Sequence, residues 1–329
     1  LRRPLVPKVL VAGDANVDLI VPFPRFLNER RTLVEYPSPC MAGGGTCANT
    51  AVALSRLGVE TGFAGTIGCD QYGAYIRRDF EREGVDTTYM MEDPDRNTVC
   101  VFAFIDEYGE RYLWGWPRTD QAFKEIDLRR MGDGWLSDTR WLHSSGMAIV
   151  DDTSARHSII QMFRAAYERG IPTSFDLNLR VDDGKLDRSY RDAVMEIMKY
   201  SSYVLGSGEE EFYYLNPRDD WEDSVRGLVS VGHVMIARMG ENGSKAFSTE
   251  GETGCPAFHV EVEDTVGAGD VYNAGFIAKR LAGGSLGQCL EYGNAVSGYT
   301  VERKGARSCP CREDVELFIA EKRPKPQRG

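Results

Sequence analysis

The sequence has no run of about 18 apolar residues, so no membrane-spanning helix is expected. It has no surplus of basic residues: 39 Lys and Arg stand against 50 Asp and Glu, a formal net charge of −11. General affinity for nucleic acid or an anionic membrane needs clustered cations, so neither is expected as a partner. Only four histidines occur, isolated from one another, and the eight cysteines at 40, 47, 69, 100, 255, 289, 309 and 311 include no CxxC pair. That spacing argues against a structural zinc site and for reduced thiols, and so for a cytoplasmic location. No Pro- or Ser-rich linker and no internal repeat divides the chain, which reads as one unit over 1–329. The apolar run Val9–Ala12 is too short for a secretory signal, and the tail from Lys322 to Gly329 is expected to be loose.

Present instead is an ordinary globular composition, 42% apolar and 27% charged, in a chain long enough to bury a large core. Its most informative stretch is Asp264-Thr265-Val266-Gly267-Ala268-Gly269-Asp270, followed by an apolar run to Leu281 at helical spacing. A glycine loop feeding a helix points free N–H groups at one spot, where the helix dipole favours an anion. Asp270 sits in the first turn. It reads either as a helix cap or as a base that takes a proton from an attacking hydroxyl beside the bound anion.

A second glycine loop, Gly43-Gly44-Gly45, opens an amphipathic helix that runs from about Ala48 and is closed by Gly58. The spacing Gly43-x-Gly45-x-x-Ala48 matches a dinucleotide fingerprint, but that motif needs a central strand just before it. Tyr36-Pro37-Ser38-Pro39-Cys40 is no such strand, so the dinucleotide reading is rejected. A loop that lets a polar ligand lie against the backbone, with Asn49 reaching it, remains.

Lys8–Ala12 reads as a buried strand ending in Gly13-Asp14-Ala15-Asn16-Val17-Asp18. Asn16 and Asp18 are candidates to bind hydroxyls there, although both residue types also favour turns in any protein. The stretch from Leu19 to Cys40 reads as an excursion of short strands. Thr98–Ile105 and Arg111–Trp114 read as a hairpin, and Arg118 beyond it as a solvated charge or an anion clamp. From Arg140 onward strands alternate with helices: helix Thr153–Arg169, strand Thr173–Asp176, helix Ser189–Tyr200, strands Tyr203–Gly206 and Val234–Ala237. That alternation predicts a mainly parallel α/β sheet.

Taken together these pieces resemble the ribokinase-like (PfkB) carbohydrate kinases. Gly44-Gly45-x-x-Ala48-Asn49-x-Ala51 is similar to the family's first signature and Asp264-Thr265-x-Gly267-Ala268-Gly269-Asp270 to its second, more specific one. The likeness extends through Gly13-x-x-Asn16-x-Asp18, Asp176-x-Asn178-x-Arg180, Gly240-x-x-Gly243 and the stretch from Asn294 to Gly305-Ala306.

The resemblance implies a three-layer ribokinase-like α/β fold with a small β lid formed by about 17–42 and 95–118. It implies transfer of the ATP γ-phosphoryl group to a sugar hydroxyl, with Asp270 as base and the Gly267, Ala268, Gly269 and Asp270 N–H groups as anion hole. Asn16, Asp18, Gly44, Gly45 and Asn49 would hold the sugar, joined by Trp116, Arg118 and Arg180. Asn178, Arg238, Gly240, Gly243, Thr265, Gly267, Gly269 and Asn294 would line the nucleotide site. Mg²⁺ would be organised by Glu211 through water. Relatives carry Asn-x-x-Glu there, and Gly208 stands at the Asn position. A monovalent cation such as K⁺ near Asp264 and Gly305, and a homodimer through the lid, also follow from the likeness. The sequence is most similar to 2-keto-3-deoxygluconate kinases and fructokinases, and two arginines near one pocket would suit a sugar acid. A fructokinase, ribokinase or nucleoside kinase of the same fold, or a catalytically weak sugar-binding regulator, are the alternatives.

Overall fold

The computed structural model describes all residues except 1–7, 24–36, 107, 109, 133, 230–233 and 323–329. The expected loose tail beyond Lys322 and much of the 17–42 segment therefore lie outside the described residues.

Thirteen strands are described: β1 Lys8–Ala12, β2 Asn16–Pro22, β3 Cys40–Gly44, β4 Thr61–Gly68, β5 Asp86–Asp93, β6 Cys100–Ile105, β7 Arg111–Trp116, β8 Thr139–Ser145, β9 Thr173–Asp176, β10 Tyr203–Ser207, β11 Val234–Arg238, β12 Ser244–Ser248 and β13 Gly251–Cys255. Nine form the main sheet in the order β13-β12-β11-β10-β9-β8-β1-β4-β5, parallel from β11 to β5, with β12 and β13 antiparallel at one edge.

Burial on both faces explains the unbroken apolar strands. In β1, Val9 and Val11 point into one core and Leu10 and Ala12 into the other, and all four are fully buried. The first core lies under the helices Thr46–Arg56, Gln71–Arg82, Ala268–Leu281 and Leu286–Val301, and the second under Ser154–Glu168 and Arg188–Met198. This is the ribokinase-like three-layer fold that the resemblance implied. Among the described residues no helix is long and apolar enough to cross a membrane.

Three local readings change. Asp86–Asp93, which no sequence pattern above marked as a strand, is the edge strand of the main sheet. The short strands β12, mostly buried, and β13, almost wholly exposed, were likewise not marked in the sequence. Asn16–Asp18 is not a turn but the start of β2, which leaves the main sheet and joins a separate four-stranded sheet, order β3-β2-β6-β7.

Candidate active site

The parallel strands end at one edge, and there the two glycine loops meet. The helices Thr46–Arg56 and Ala268–Leu281 pack side by side, and Thr50 Oγ1 donates to the Asp270 carbonyl at 3.1 Å.

The loops differ in their free N–H groups. Asp14, buried at the end of β1, accepts the Thr46 N–H at 2.8 Å and the Cys47 N–H at 3.3 Å. Its carboxylate already fills the first helix's positive end. The second helix has no such internal anion. Gly267 caps it in the left-handed region at φ 76°, and among the described residues the N–H groups of Gly267, Gly269 and Asp270 have no backbone acceptor. A Cβ at Gly267 would lie 2.1 Å from the Ala306 Cβ, so only glycine fits. The second loop is therefore the one that can take an anion.

Asp270 is buried there, and Asn49 Nδ2 donates to its Oδ2 at 2.8 Å. Burial pushes its pKa well above the usual carboxylate range; the Asn49 bond opposes this, the nearby Asp176 and Asp14 reinforce it, and Arg238 opposes it. A carboxylate held ready to accept a proton is what a general base requires.

At the first glycine loop, Asn16 Nδ2 donates to Asp18 Oδ1 at 2.8 Å. Burial raises the Asp18 pKa to about 6, with Asn16 and Arg307 holding it down. A Cβ at Gly44 would lie 2.5 Å from Asp18 Oδ2, and Gly45 has φ 100°, so both glycines admit the strand and the polar pair at close quarters. Asn178, at φ 32°, donates from Nδ2 to Thr46 Oγ1 at 3.0 Å and accepts from Arg180 Nη2 at 2.5 Å. This chain of bonds hangs the exposed Arg180 beside the first glycine loop.

Arg238, Asp176 and Glu211 form a second cluster. Arg238 donates from Nη2 to Asp176 at 2.7 Å and from Nη1 to Asn273 Oδ1 at 2.7 Å and the Gly269 carbonyl at 3.2 Å. Glu211 accepts the Leu179 N–H at 2.5 Å and the Ser207 N–H at 2.6 Å, tying the ends of β9 and β10. Burial raises its pKa, as does Asp176. No cage of three or more His, Cys, Asp or Glu side chains exists among the described residues. Glu211 does fit a magnesium ion that arrives on a nucleotide and keeps most of its water, since each of its oxygens accepts only one N–H and the residue lines an open cavity. Position 208 is crowded and has no side chain to help: a Cβ there would lie 3.0 Å from the Trp221 ring and 3.3 Å from Ala237.

Other expected residues fall as follows. Gly240 and Gly243 bracket the tight turn after β11, where the Met239 N–H bonds to the Gly243 carbonyl at 2.8 Å. Thr265 is exposed, and its carbonyl accepts the Ala268 N–H at 3.2 Å. Asn294 is spent on structure: its Nδ2 donates to the Cys255 and Pro256 carbonyls at 3.1 Å and its Oδ1 accepts from Ser244. It braces the strand edge from behind rather than offering its amide to a ligand. Asp264 accepts the Val266 N–H at 3.0 Å and the Gly305 N–H at 2.9 Å, clamping the anion loop to that turn.

Trp116 needs correction. Strand neighbours share a face. Asp18 lies beside Ala42 and Val101, and Val101 beside Gly115. Trp116 instead pairs with Cys100 and Cys100 with Val17, so its ring is on the opposite face, edge-on to Tyr72 at 6.5 Å. It cannot touch a ligand held by Asp18 from that side. Arg118, just beyond, is exposed and bonds to no other described residue.

One residue that the sequence reading passed over is central. Arg307 donates to the Gly43 and Ala48 carbonyls, both at 3.1 Å, and meets the buried Asp79 at 3.3 Å. With Ala306 pressed on Gly267, this turn touches both glycine loops at once. Its only signal in sequence was a charge just after Gly305-Ala306.

With this geometry in place the comparisons with known proteins can be read. The profile for the pfkB family carbohydrate kinases matches residues 6–313. The chain belongs to the PfkB family. It is similar to an ATP-dependent ribose-1-phosphate kinase from Halopiger xanaduensis, 32% identical over 320 residues that cover 96% of this chain and 99% of the relative. An aminoimidazole riboside kinase from Salmonella typhimurium is 28% identical over 326 residues, 95% of each chain. Among solved structures, the fructokinase from Xylella fastidiosa with bound ATP superposes with a TM-score of 0.82 at 23% identity, covering 95% of this chain and 98% of that one. This PfkB member is a phosphotransferase that acts on a sugar hydroxyl, and it has the family's ATP-dependent chemistry.

Proposed function

We propose that this kinase phosphorylates a sugar acid or keto sugar, with Asp270 as general base and the Gly267–Asp270 N–H groups as anion hole. The observation that carries it is the buried Asp270 carboxylate, set by Asn49 at the start of a helix where the Gly267, Gly269 and Asp270 N–H groups have no backbone acceptor among the described residues. Asn16, Asp18 and Asn49 hold the sugar hydroxyls against the Gly44-Gly45 backbone. Asp270 takes the proton of the attacking hydroxyl. The oxygen then bonds to the γ-phosphorus, the bond to the β-phosphate oxygen breaks, and ADP leaves. The loop N–H groups meet the charge on the transferring group. Glu211 would hold, through water, the magnesium that comes with the nucleotide, and the ion would supply positive charge against the phosphates. Closure of the small sheet over the sugar excludes water and with it ATP hydrolysis.

Arg180 beside the first loop supports an anionic substituent on the sugar, with Arg118 as its partner at the sheet exit. The relative named for ribose 1-phosphate, itself an anionic sugar, points the same way. One observation favours a second reading. Apart from Asp18, the same face of the small sheet carries Ile20, Ala42, Val101, Ala103 and Leu113, which suits an uncharged group such as the base of a nucleoside. Potassium would share Asp264 with the N–H groups it already accepts, and activity in potassium against sodium tests it. The exposed Tyr112, Trp114 and Trp116 support a dimer through the small sheet.

ADP release with ATP and magnesium tests the reading across 2-keto-3-deoxygluconate, fructose, ribose, ribose 1-phosphate, sugar acids, adenosine and inosine. Turnover on an acidic sugar or sugar phosphate, lost in Arg180→Gln, is expected. Turnover only on neutral sugars or nucleosides overturns the anionic half, and silence with ATP still bound overturns the substrate reading in favour of an unusual substrate or a catalytically weak sugar-binding regulator.

A further inference from the structure

One side chain holds the first glycine loop at both ends. Arg307 donates from Nε to the Gly43 carbonyl and from Nη1 to the Ala48 carbonyl, each at 3.1 Å. A carbonyl and the N–H that follows it share one rigid peptide plane. The two bonds therefore set the planes that lead into Gly44 and Asn49, which the proposed reading gives to the sugar. Arg307 also acts on Asp18: burial raises that carboxyl's pKa, and Arg307, after Asn16, opposes the rise. The backbone of the same turn is fixed against the second loop. Arg56 donates from Nη1 to the Arg307 carbonyl at 2.6 Å and the Cys309 carbonyl at 3.0 Å, and two bonds of 2.8 Å seat it on Glu83. Ala306 is pressed on Gly267, and Asp264 of the anion loop takes the Gly305 N–H at 2.9 Å.

The arrangement is a poor one for stability alone. The Arg307 side chain is only 15% exposed, and burial pushes its pKa below the ordinary arginine value, against the pull of Asp79. Nη2 faces Asp79 Oδ2 at 3.3 Å, yet neither atom completes a hydrogen bond among the described residues. A buried pair made this way is costly to desolvate and returns little. Gly43 is part of the same fit. A Cβ there would lie 2.5 Å from Arg307 Nη2 and would also collide with Asp79 Oδ2, so the strand gives up a side chain to admit the cation. What the guanidinium does well is bridge two carbonyls with its rigid, planar fork.

We propose that Arg307 is a positioning residue for phosphoryl transfer, joining the Gly43–Asn49 loop to the Gly267–Asp270 loop as one unit, so that order imposed on one is passed to the other. The direct bond between Asn49 and Asp270 joins side-chain tips. Arg307 and Ala306 instead brace the backbones that carry them. The acceptor hydroxyl and the phosphoryl group are then held at one separation, and a misplacement of about 1 Å is enough to cost about 10²-fold in rate. This inference rests on the kinase reading above.

Amide hydrogen exchange with ATP and magnesium, and no sugar, tests it in wild type, Arg307→Met and Arg307→Lys. In wild type the nucleotide should slow exchange at 267–270 and also, by about fivefold or more, at 43–49, the low end of ordinary coupling between sites. In Arg307→Met the protection should stay at 267–270 and be lost at 43–49. Arg307→Lys keeps the charge beside Asp79 without the planar fork. It should be intermediate, and it carries the variant arm should the Met protein fail to fold by circular dichroism. Turnover is read on ribose 1-phosphate, fructose and 2-keto-3-deoxygluconate. For any of these that wild type uses, kcat in Arg307→Met should fall about 10²-fold while ATP affinity by calorimetry stays within about threefold. Should wild type use none of the three, the exchange result decides alone. Protection confined to 267–270 in wild type overturns the proposal. So does protection that still spreads in Arg307→Met, which would assign the link to the Asn49–Asp270 bond. A parallel loss of kcat and ATP affinity would mean a merely structural arginine. A wild type that binds no ATP overturns the kinase reading itself, a distinct result.

Discussion

Asn49 Nδ2 donates to Asp270 Oδ2 at 2.8 Å, across 221 positions of sequence. The bond fixes which oxygen of the base stays free and lowers a pKa that burial raises. The other end of the same amide, Oδ1, is buried and has no partner among the described residues. An unsatisfied buried acceptor is costly, and a substrate hydroxyl is the donor the site lacks. On the proposed reading Asn49 holds the base with one atom and offers a place for the sugar with the other.

Asp270→Asn removes the base while keeping shape. Turnover should fall by roughly 10²–10⁴-fold, the usual worth of general base catalysis. ATP affinity by calorimetry should hold. Undiminished ADP release would show that another group takes the proton.

Asn49→Leu removes the bond that lowers the Asp270 pKa. The carboxylate should then stay protonated to higher pH, so the acid limb of the kcat profile should move up. Activity should recover toward wild type at alkaline pH if the fold is intact. A profile scaled down at every pH, with no shift, would assign Asn49 to sugar binding alone.

Asp18 carries its charge only above about pH 6. As a hydroxyl acceptor it should bind sugar best when ionised. KM for the sugar is expected to rise as pH falls through about 6, with KM for ATP flat. In Asp18→Asn the sugar KM should be high and independent of pH over the same range. A pH-dependent KM that survives the substitution points to a different titrating group.

Gly267→Ala faces two penalties: about 1–2 kcal/mol for a Cβ in left-handed backbone, and a collision with Ala306. The loop must shift. Thermal unfolding should drop by a few degrees and ATP KM should rise. Wild-type values for both would mean that the Ala306 turn yields freely.

Trp116 lies on the face of the small sheet opposite Asp18, so Trp116→Leu should leave the sugar KM within about twofold. Trp114→Glu, on the same exposed face, should convert a dimer to a monomer in light scattering. A tenfold rise in sugar KM for Trp116→Leu would place the tryptophan in the cleft after all.

Much of the main sheet and the anion loop was legible in sequence because each rests on a local pattern. Buried parallel strands are continuous apolar runs, and the glycine-to-helix junction at Gly267 is chemistry within a few residues. The parts that escaped depend on distance or register. Asp14 caps a helix 32 positions away, and Arg307 reaches carbonyls more than 250 positions earlier. The face on which Trp116 falls depends on the pairing of β6 with β7 and β2, and a one-residue slip would reverse it. Asn294 carried a polar type in a plausible place, and only the structure reveals that its amide is used up on two carbonyls.

The turn at Gly305–Arg307 has a consequence for how the chain is made. It joins Gly43 and Ala48 to Gly267, so the site is assembled from opposite ends of the polypeptide. A ribosome-bound chain that has emerged as far as β11 already holds Asn16, Asp18 and the first glycine loop, but neither the Gly267 loop nor Asp270. The contacts that complete the site are among the most non-local in the fold, the kind that form late. Phosphoryl transfer is therefore a property of the finished chain alone, and a growing chain that captures sugar has nothing with which to spend ATP.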